Sequence, residues 1–219
     1  RIFVIKNGIY LPHFADLSAP RDPYRLIYSS VPDRGLDILL KIFPQIKAAV
    51  PQANLSVYCG LELGMLKESD KQRATKLYDL ANQPGVTLHG NVPHRQLAEA
   101  LSQSALFIYP SHAVPAAAFY AETSCIAAIE AQAAGTPVIA SRRGALPETV
   151  EDGKTGILIT GDPYSQEYQD KFVREVVELL KDNARREAMS RAAKERVFSH
   201  YGWDAIAKEW EDHCLKIMS

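Results

Sequence analysis

Short apolar runs recur along this chain and alternate with stretches of helical period. RLIYSS, LSVYCG, VTLHGN, LFIYPS, PVIAS and GILIT are each a few residues long and mostly bounded by Gly, Pro, Ser or Asn, the pattern of strands. Between the early ones, Leu36, Leu39, Leu40, Phe43, Ile46 and Val50 return at helical spacing, with Pro44 expected to kink or restart the helix and Pro51 to end it. Leu77, Leu80 and Ala81 mark a second helix, and Leu97, Leu101 and Ala105 a third. Residues 123–134 form an alanine-rich fourth, closed by Gly135. Near-continuous apolar strands alternating with helices predict a parallel sheet covered on both faces, an α/β, doubly wound, Rossmann-like domain. After Thr160 the pattern turns almost wholly helical. Phe172, Val176, Val177 and Leu180 line one face, and Trp203, Ile206, Ala207, Trp210 and Ile217 another. Some of these helices are expected to dock on the sheet, and the last to reach toward a further domain. The opening RIFVIKNG reads as a strand entering a turn, and residues 9–22, with little periodicity, as a linker.

Composition narrows the classes of function. The chain has 219 residues, 47% hydrophobic and 23% charged, ordinary for a globular protein with one substantial core. The formal net charge is −1 and no basic patch dominates any stretch, which argues against a nucleic-acid partner. No apolar run approaches the ~18–20 residues that span a bilayer. Cys59, Cys125 and Cys214 are widely spaced and odd in number, the pattern of reduced thiols rather than of a disulfide framework or a zinc site. A cytoplasmic location is therefore expected.

Doubly wound sheets bind ligands beyond the carboxyl ends of their strands, where strand order reverses. In the commonest order that crevice lies between the first strand and the fourth. The loops there are SSVPDRG (29–35) and SHAVPAAAFYAETS (111–124), the second being the longest between a sheet strand and its helix. They place Arg34 and Glu122 at the crevice. Ser124, Cys125, Ala127 and Ala128 are small, so a ligand can approach the backbone at the start of the fourth helix. Unpaired N–H groups and a partial positive charge at that end suit a diphosphate, and Arg34 would add a fixed charge with a planar donor fork. Glu130, about 12 Å beyond Glu122 if the segment is fully helical, sits in AAIEAQAAG, where a ribose diol would satisfy its carboxylate. Each residue also has a plainer reading. Glu122 can serve as an electrostatic device at a helix start, Glu130 as a half-exposed residue paired with a basic side chain, and Arg34 as a solvated first-turn residue. His112 lies near the crevice and can touch the ligand or be simply exposed, and Phe119 and Tyr120 can wall the crevice or pack under the loop.

ETSCIAAIEAQAAGTPVIAS (122–141) resembles the signature of glycosyltransferase family 4, in which two glutamates separated by seven residues precede a small-residue run and a Gly-Thr-Pro-Val strand. GALPETV (144–150), GKTGILI (153–159), VIKNGI, SSVPDRGLDILL, VTLHGNVPHRQLAEAL and LFIYPS follow the family's order, so the resemblance covers nearly the whole chain. It implies the C-terminal, donor-binding half of a retaining GT-B enzyme. Residues 1–22 would then be a strand and linker from an absent N-terminal acceptor-binding domain, and residues 23–219 the nucleotide-sugar-binding domain with its C-terminal helices. By the same resemblance Glu122 would meet hydroxyls of the donor hexose. Thr123, Ser124, Cys125, Ile126 and Ala127 would lie along sugar and phosphate, the last four presenting backbone N–H groups. Glu130 would bind the ribose, Val92 and Leu97 would flank the base, and Arg34 would neutralise the diphosphate. The implied donor is a nucleotide diphosphate hexose, UDP-linked. No cofactor and no metal are expected, since no DxD-type carboxylate pair is present. Any membrane contact would be made through the absent half.

The chain departs from the family in two places. Where many members carry a basic pair around the first loop, the matching positions here are Ser29 and Arg34, leaving one phosphate charge to the hydroxyls of Ser29 and Ser30. Where Pro-Phe-Gly often follows the first glutamate, Thr123, Ser124 and Cys125 stand here, which alters the lining of the sugar pocket. Two other functions share this scaffold, a nonhydrolysing sugar-nucleotide epimerase and a non-catalytic nucleotide-sugar binding module. A nicotinamide dehydrogenase is disfavoured, because SSVPDRG lacks the Gly-x-Gly-x-x-Gly turn.

Overall fold

The structure is a computed structural model that describes residues 3–60, 68–112 and 122–218. Six strands, β1 (Arg25–Ser29), β2 (Asn54–Tyr58), β3 (Val86–Leu88), β4 (Leu106–Tyr109), β5 (Val138–Ser141) and β6 (Gly156–Ile159), form one parallel sheet in the order β3-β2-β1-β4-β5-β6. Every residue of β4, β5 and β6 is buried, as are four of the five in β1. Burial on both faces is what their unbroken apolar runs require. The order reverses between β1 and β4, the strands whose following loops the sequence marks.

Helices α1 (Pro12–Ala15), α2 (Leu36–Ala49), α3 (Glu68–Ala81), α4 (His94–Ser102), α5 (Ile126–Ala133), α6 (Leu146–Thr149), α7 (Gln166–Lys181), α8 (Asn183–His200) and α9 (Trp203–Met218) surround the sheet among the described residues. Helix α2 buries Leu36, Leu39, Leu40, Phe43 and Ile46 and runs through Pro44 without interruption. Proline at that position leaves the Leu40 carbonyl without its helical donor, and the Gln83 amide supplies one at 2.9 Å. The expected restart is therefore not seen. Helix α7 packs on α2, β5 and β6, as expected of the helices after Thr160, and α8 packs on α5.

Several expectations need correction. Residues 3–8 form no strand; Ile9 instead makes an isolated bridge to Gly202, its N–H donating to the Tyr201 carbonyl at 2.7 Å. The supposed linker is folded onto the domain. Ile9 and Phe14 are buried, and Arg21 donates to the Ser102 carbonyl and the Ser190 hydroxyl. Two large apolar side chains suffice to fix a segment that lacks periodicity. The third helix ends at Ser102, and Ala105 is buried just before β4. The fourth begins at Ile126 rather than Thr123, because Cys125 adopts a left-handed conformation (φ 52°, ψ 64°) that no helix continues through. Of the apolar positions noted on α9, only Ile206 is buried, whereas Trp203, Trp210 and Ile217 are exposed. No described helix is long and apolar enough to cross a membrane.

Candidate functional site

The loops after β1 and β4 meet because Gly35, the residue before α2, lies against the backbone of Pro110 just beyond β4. Its φ of +94° and the Pro110 carbonyl at clashing distance from any Cβ admit only glycine. That contact sets Arg34 beside the end of β4. Across the gap, Glu122 is held by its backbone and by its side chain. Its carbonyl accepts the Ala145 N–H at 2.7 Å, and Gly144, with φ +54°, lies so close that a Cβ there would meet the Glu122 amide nitrogen at 2.7 Å. Its carboxylate accepts the Cys125 N–H on Oε1 at 3.0 Å and the Tyr109 hydroxyl on Oε2 at 2.9 Å. The Arg34 Nη1 stands 3.5 Å from Oε2, close enough for an ion pair and too far for a short direct hydrogen bond.

Arg34 and Glu122 line a cleft of about 290 Å³ with Asn7, Ser30, Val31, Tyr109 and residues 123–127. Cys125 precedes α5 without a side-chain cap, so the first-turn N–H groups of Ile126 and Ala127 are available where those residues line the cleft. The Thr149 hydroxyl donates to the Ser124 carbonyl at 2.9 Å and steadies the turn. Burial, helped by the nearby Glu122 charge, pushes the Cys125 thiol up to about 12, so it remains a neutral wall.

A second cavity of about 340 Å³ adjoins the first through Ser30 and Val31. It is lined by Ser29, Tyr58, Cys59, Gly90, Asn91, Val92 and Leu97. Burial raises the Cys59 thiol to about 11. Ser29, Val92 and Leu97 thus gather around one chamber, and Arg34, Glu122, Thr123, Ser124, Cys125, Ile126 and Ala127 around its neighbour, with Ser30 common to both. Glu130 lines neither. It lies one helical turn into α5, its side chain 14% exposed, with Oε1 3.6 Å from Nδ1 of His94 at the start of α4. Burial raises the Glu130 carboxyl above the ordinary range, and His94 partly offsets this. Because Glu122 precedes the helix, the expected helical spacing between the two glutamates does not hold.

Two further residues depart from the sequence reading. His112 is buried rather than exposed, with Nε2 3.0 Å from the Tyr164 hydroxyl and 3.4 Å from Asp37 Oδ1. Phe119 and Tyr120 lie outside the described residues. In the sequence Tyr109 belongs to an apolar strand. Its signal was a phenol at the carboxyl end of the strand next to the switch point, directly before Pro-Ser.

A half-buried glutamate, an arginine and a helix start share one cleft at the reversal of strand order of a Rossmann-like sheet. Residues 13–196 match the family described as Glycosyl transferases group 1, and the chain belongs to that family. Over 182 residues it is 32% identical to a GDP-mannose-dependent alpha-(1-6)-phosphatidylinositol monomannoside mannosyltransferase of Mycobacterium tuberculosis, covering 83% of this chain and 44% of that protein. It is 29% identical over 200 residues to a lipopolysaccharide 1,2-N-acetylglucosaminetransferase of Salmonella typhimurium, covering 90% and 49%. The fold matches sucrose-phosphate synthase of Thermosynechococcus elongatus with a TM-score of 0.77 at 26% identity, over 98% of this chain and 52% of that one. The Anabaena HepE structure in complex with UDP and glucose matches in fold with a TM-score of 0.75 at 18% identity, over 98% and 57%. The sheet and its flanking helices are those of a GT-B glycosyltransferase domain. The chain spans about half the length of the curated relatives it matches.

Proposed function

We propose that this chain is the donor-binding domain of a retaining glycosyltransferase of family 4, which transfers a hexose from a nucleoside diphosphate sugar to an acceptor. The observation that carries the reading is the convergence of Arg34, Glu122 and the start of α5 on one cleft, beside a second chamber walled by Val92 and Leu97 that shares Ser30 and Val31 with it. The nucleoside occupies the second chamber and the diphosphate passes Ser30 toward the N–H groups of Ile126 and Ala127. The hexose lies against Glu122, and Glu130, which lines neither chamber and sits beside His94 at the start of α4, is proposed to reach the ribose hydroxyls from outside them. Residues 23–219 form the donor domain, while the acceptor and any catalytic group facing it belong to an N-terminal domain of the same protein.

The chemical demand is on the departing diphosphate, which gains negative charge as the glycosidic bond breaks. Arg34 and the first turn of α5 supply fixed positive potential where that charge grows, without reorganisation at the moment of reaction. We propose that they do so without a divalent metal. Glu122 orients the sugar. Its two fixed donors leave one lone-pair direction on each oxygen for hydroxyls of the hexose.

The resemblance favours UDP, whereas the mycobacterial relative is named for GDP-mannose. Calorimetric titration of the protein with UDP and with GDP assigns the base. The reading expects saturable binding of one nucleoside diphosphate by this domain alone, with little sugar transfer until the acceptor-binding domain is present. Binding of neither at millimolar concentration overturns it.

A further inference from the structure

We propose that Tyr109 is a positioning residue for donor-sugar recognition, aligning the Glu122 carboxylate and linking it to the first loop; this rests on the function proposed above. Tyr109 closes β4 and is 2% exposed. Its ring neighbours those of Tyr28 and Phe107, with centroids 6.1 and 5.8 Å away, so two aromatic contacts restrain its direction. The one polar atom it carries reaches the cleft, with the hydroxyl 2.9 Å from Glu122 Oε2 and 3.4 Å from Ser30 Oγ.

The direction of these bonds follows from the groups present. A carboxylate only accepts, so the phenol proton goes to Glu122 and the phenol oxygen is left to accept from Ser30. Burial pushes the phenol far above its ordinary range, which keeps that proton in place. The result is a chain from Ser30, at the junction of the two chambers, through Tyr109 to the carboxylate proposed to read the hexose. The same bond restrains the ion pair. Arg34 lies 3.5 Å from the oxygen that Tyr109 holds. Without the phenol, Glu122 is drawn toward Arg34 and its free lone pairs turn from the sugar.

The test is calorimetry on the full-length protein with UDP, UDP-glucose, GDP and GDP-mannose, comparing the unmodified chain with Tyr109→Phe, Glu122→Gln and the double variant. For whichever nucleotide binds, the hexose is expected to tighten binding in the unmodified protein. Tyr109→Phe, which keeps the packed ring, should lose that increment by about tenfold, the scale of one hydrogen bond to a charged group, while affinity for the bare nucleotide shifts less. Glu122→Gln should lose it as well, and the double variant should be no worse than Glu122→Gln alone, because Tyr109 acts through that carboxylate. The assignment is overturned if the unmodified protein shows no hexose increment, if either single variant keeps it, if Tyr109→Phe weakens nucleotide and sugar nucleotide equally, or if the two losses add. A protein that binds no nucleotide at all overturns the functional reading itself, whereas normal nucleotide binding with an unchanged Tyr109→Phe increment overturns only the role of Tyr109.

Discussion

Replacing Gly144 by alanine should damage the site from behind, although Gly144 does not itself line the cleft. Two costs can be separated. The backbone there has φ +54°, and an L side chain in the left-handed region costs about 1–2 kcal/mol. For a chain of this size that lowers Tm by roughly 2–8 °C. The second cost is positional. The new Cβ would stand 2.7 Å from the Glu122 amide nitrogen, and its carbonyl oxygen is nearer still, where ordinary contact begins at 3.4 Å. Backbone cannot swing aside as a side chain does, so Glu122 moves by several tenths of an ångström, and its carboxylate moves relative to Tyr109 and Arg34. A misplacement of about 1 Å costs on the order of 100-fold, so roughly tenfold in sugar-nucleotide affinity or turnover is expected here. Gly153→Ala is the control. It carries the same kind of backbone strain, at φ +78°, with nothing within 4 Å of the added atom. Thermal unfolding should show both variants destabilised, and calorimetry should show the donor defect in Gly144→Ala alone. Equal donor affinity in the two variants would refute the argument that this glycine positions Glu122.

Other outcomes follow from the same geometry. Arg34→Ala should weaken nucleoside diphosphate binding by about 10- to 100-fold, as expected for a lost charge-assisted contact, and Arg34→Lys should recover it only in part; titration of both variants checks this. Glu130→Gln should stabilise the free protein at neutral pH while weakening nucleotide binding. Burial raises the folded-state pKa of this carboxyl, so the folded protein binds the proton more readily than the unfolded chain. Stability is therefore lost as pH rises from the unfolded value through the raised one. The Tm gain of Glu130→Gln should accordingly be present at pH 7 and vanish below the ordinary carboxylate range. Treatment with EDTA should leave hexose transfer by the full-length enzyme unchanged, and a loss restored by a divalent cation would refute the metal-independent mechanism.

Much of the fold was legible because buried parallel strands leave a dense signal. RLIYSS and LFIYPS read as strands of a parallel sheet from their unbroken apolar runs, and the commonest strand order then puts the loops after β1 and β4 at the crevice. What failed was local. The start of α5 was misplaced by three residues, since Thr123 looks like a helix start whereas the chain turns left-handed at Cys125, a conformation that sequence rarely signals outside Gly and Asn. RIFVIKNG has the apolar character of a strand, but strands form only with partners, and Ile9 found Gly202 instead. Arg34, Glu122 and residues 123–127 came together as the crevice argument required, while Glu130 was left outside both chambers. The position of Tyr109 at the end of its strand is legible in the sequence, but its role is not. An apolar pattern records where a ring is buried and says nothing about where its hydroxyl points.

The most direct measurement is a crystal structure of the protein with its bound nucleoside diphosphate sugar. The account predicts diphosphate oxygens within hydrogen-bond distance of the Ile126 and Ala127 N–H groups and of the Arg34 guanidinium, with the hexose against Glu122. A diphosphate bound elsewhere, such as the polar cavity beside Arg21 and Ser190 at the far end of α5, would contradict it.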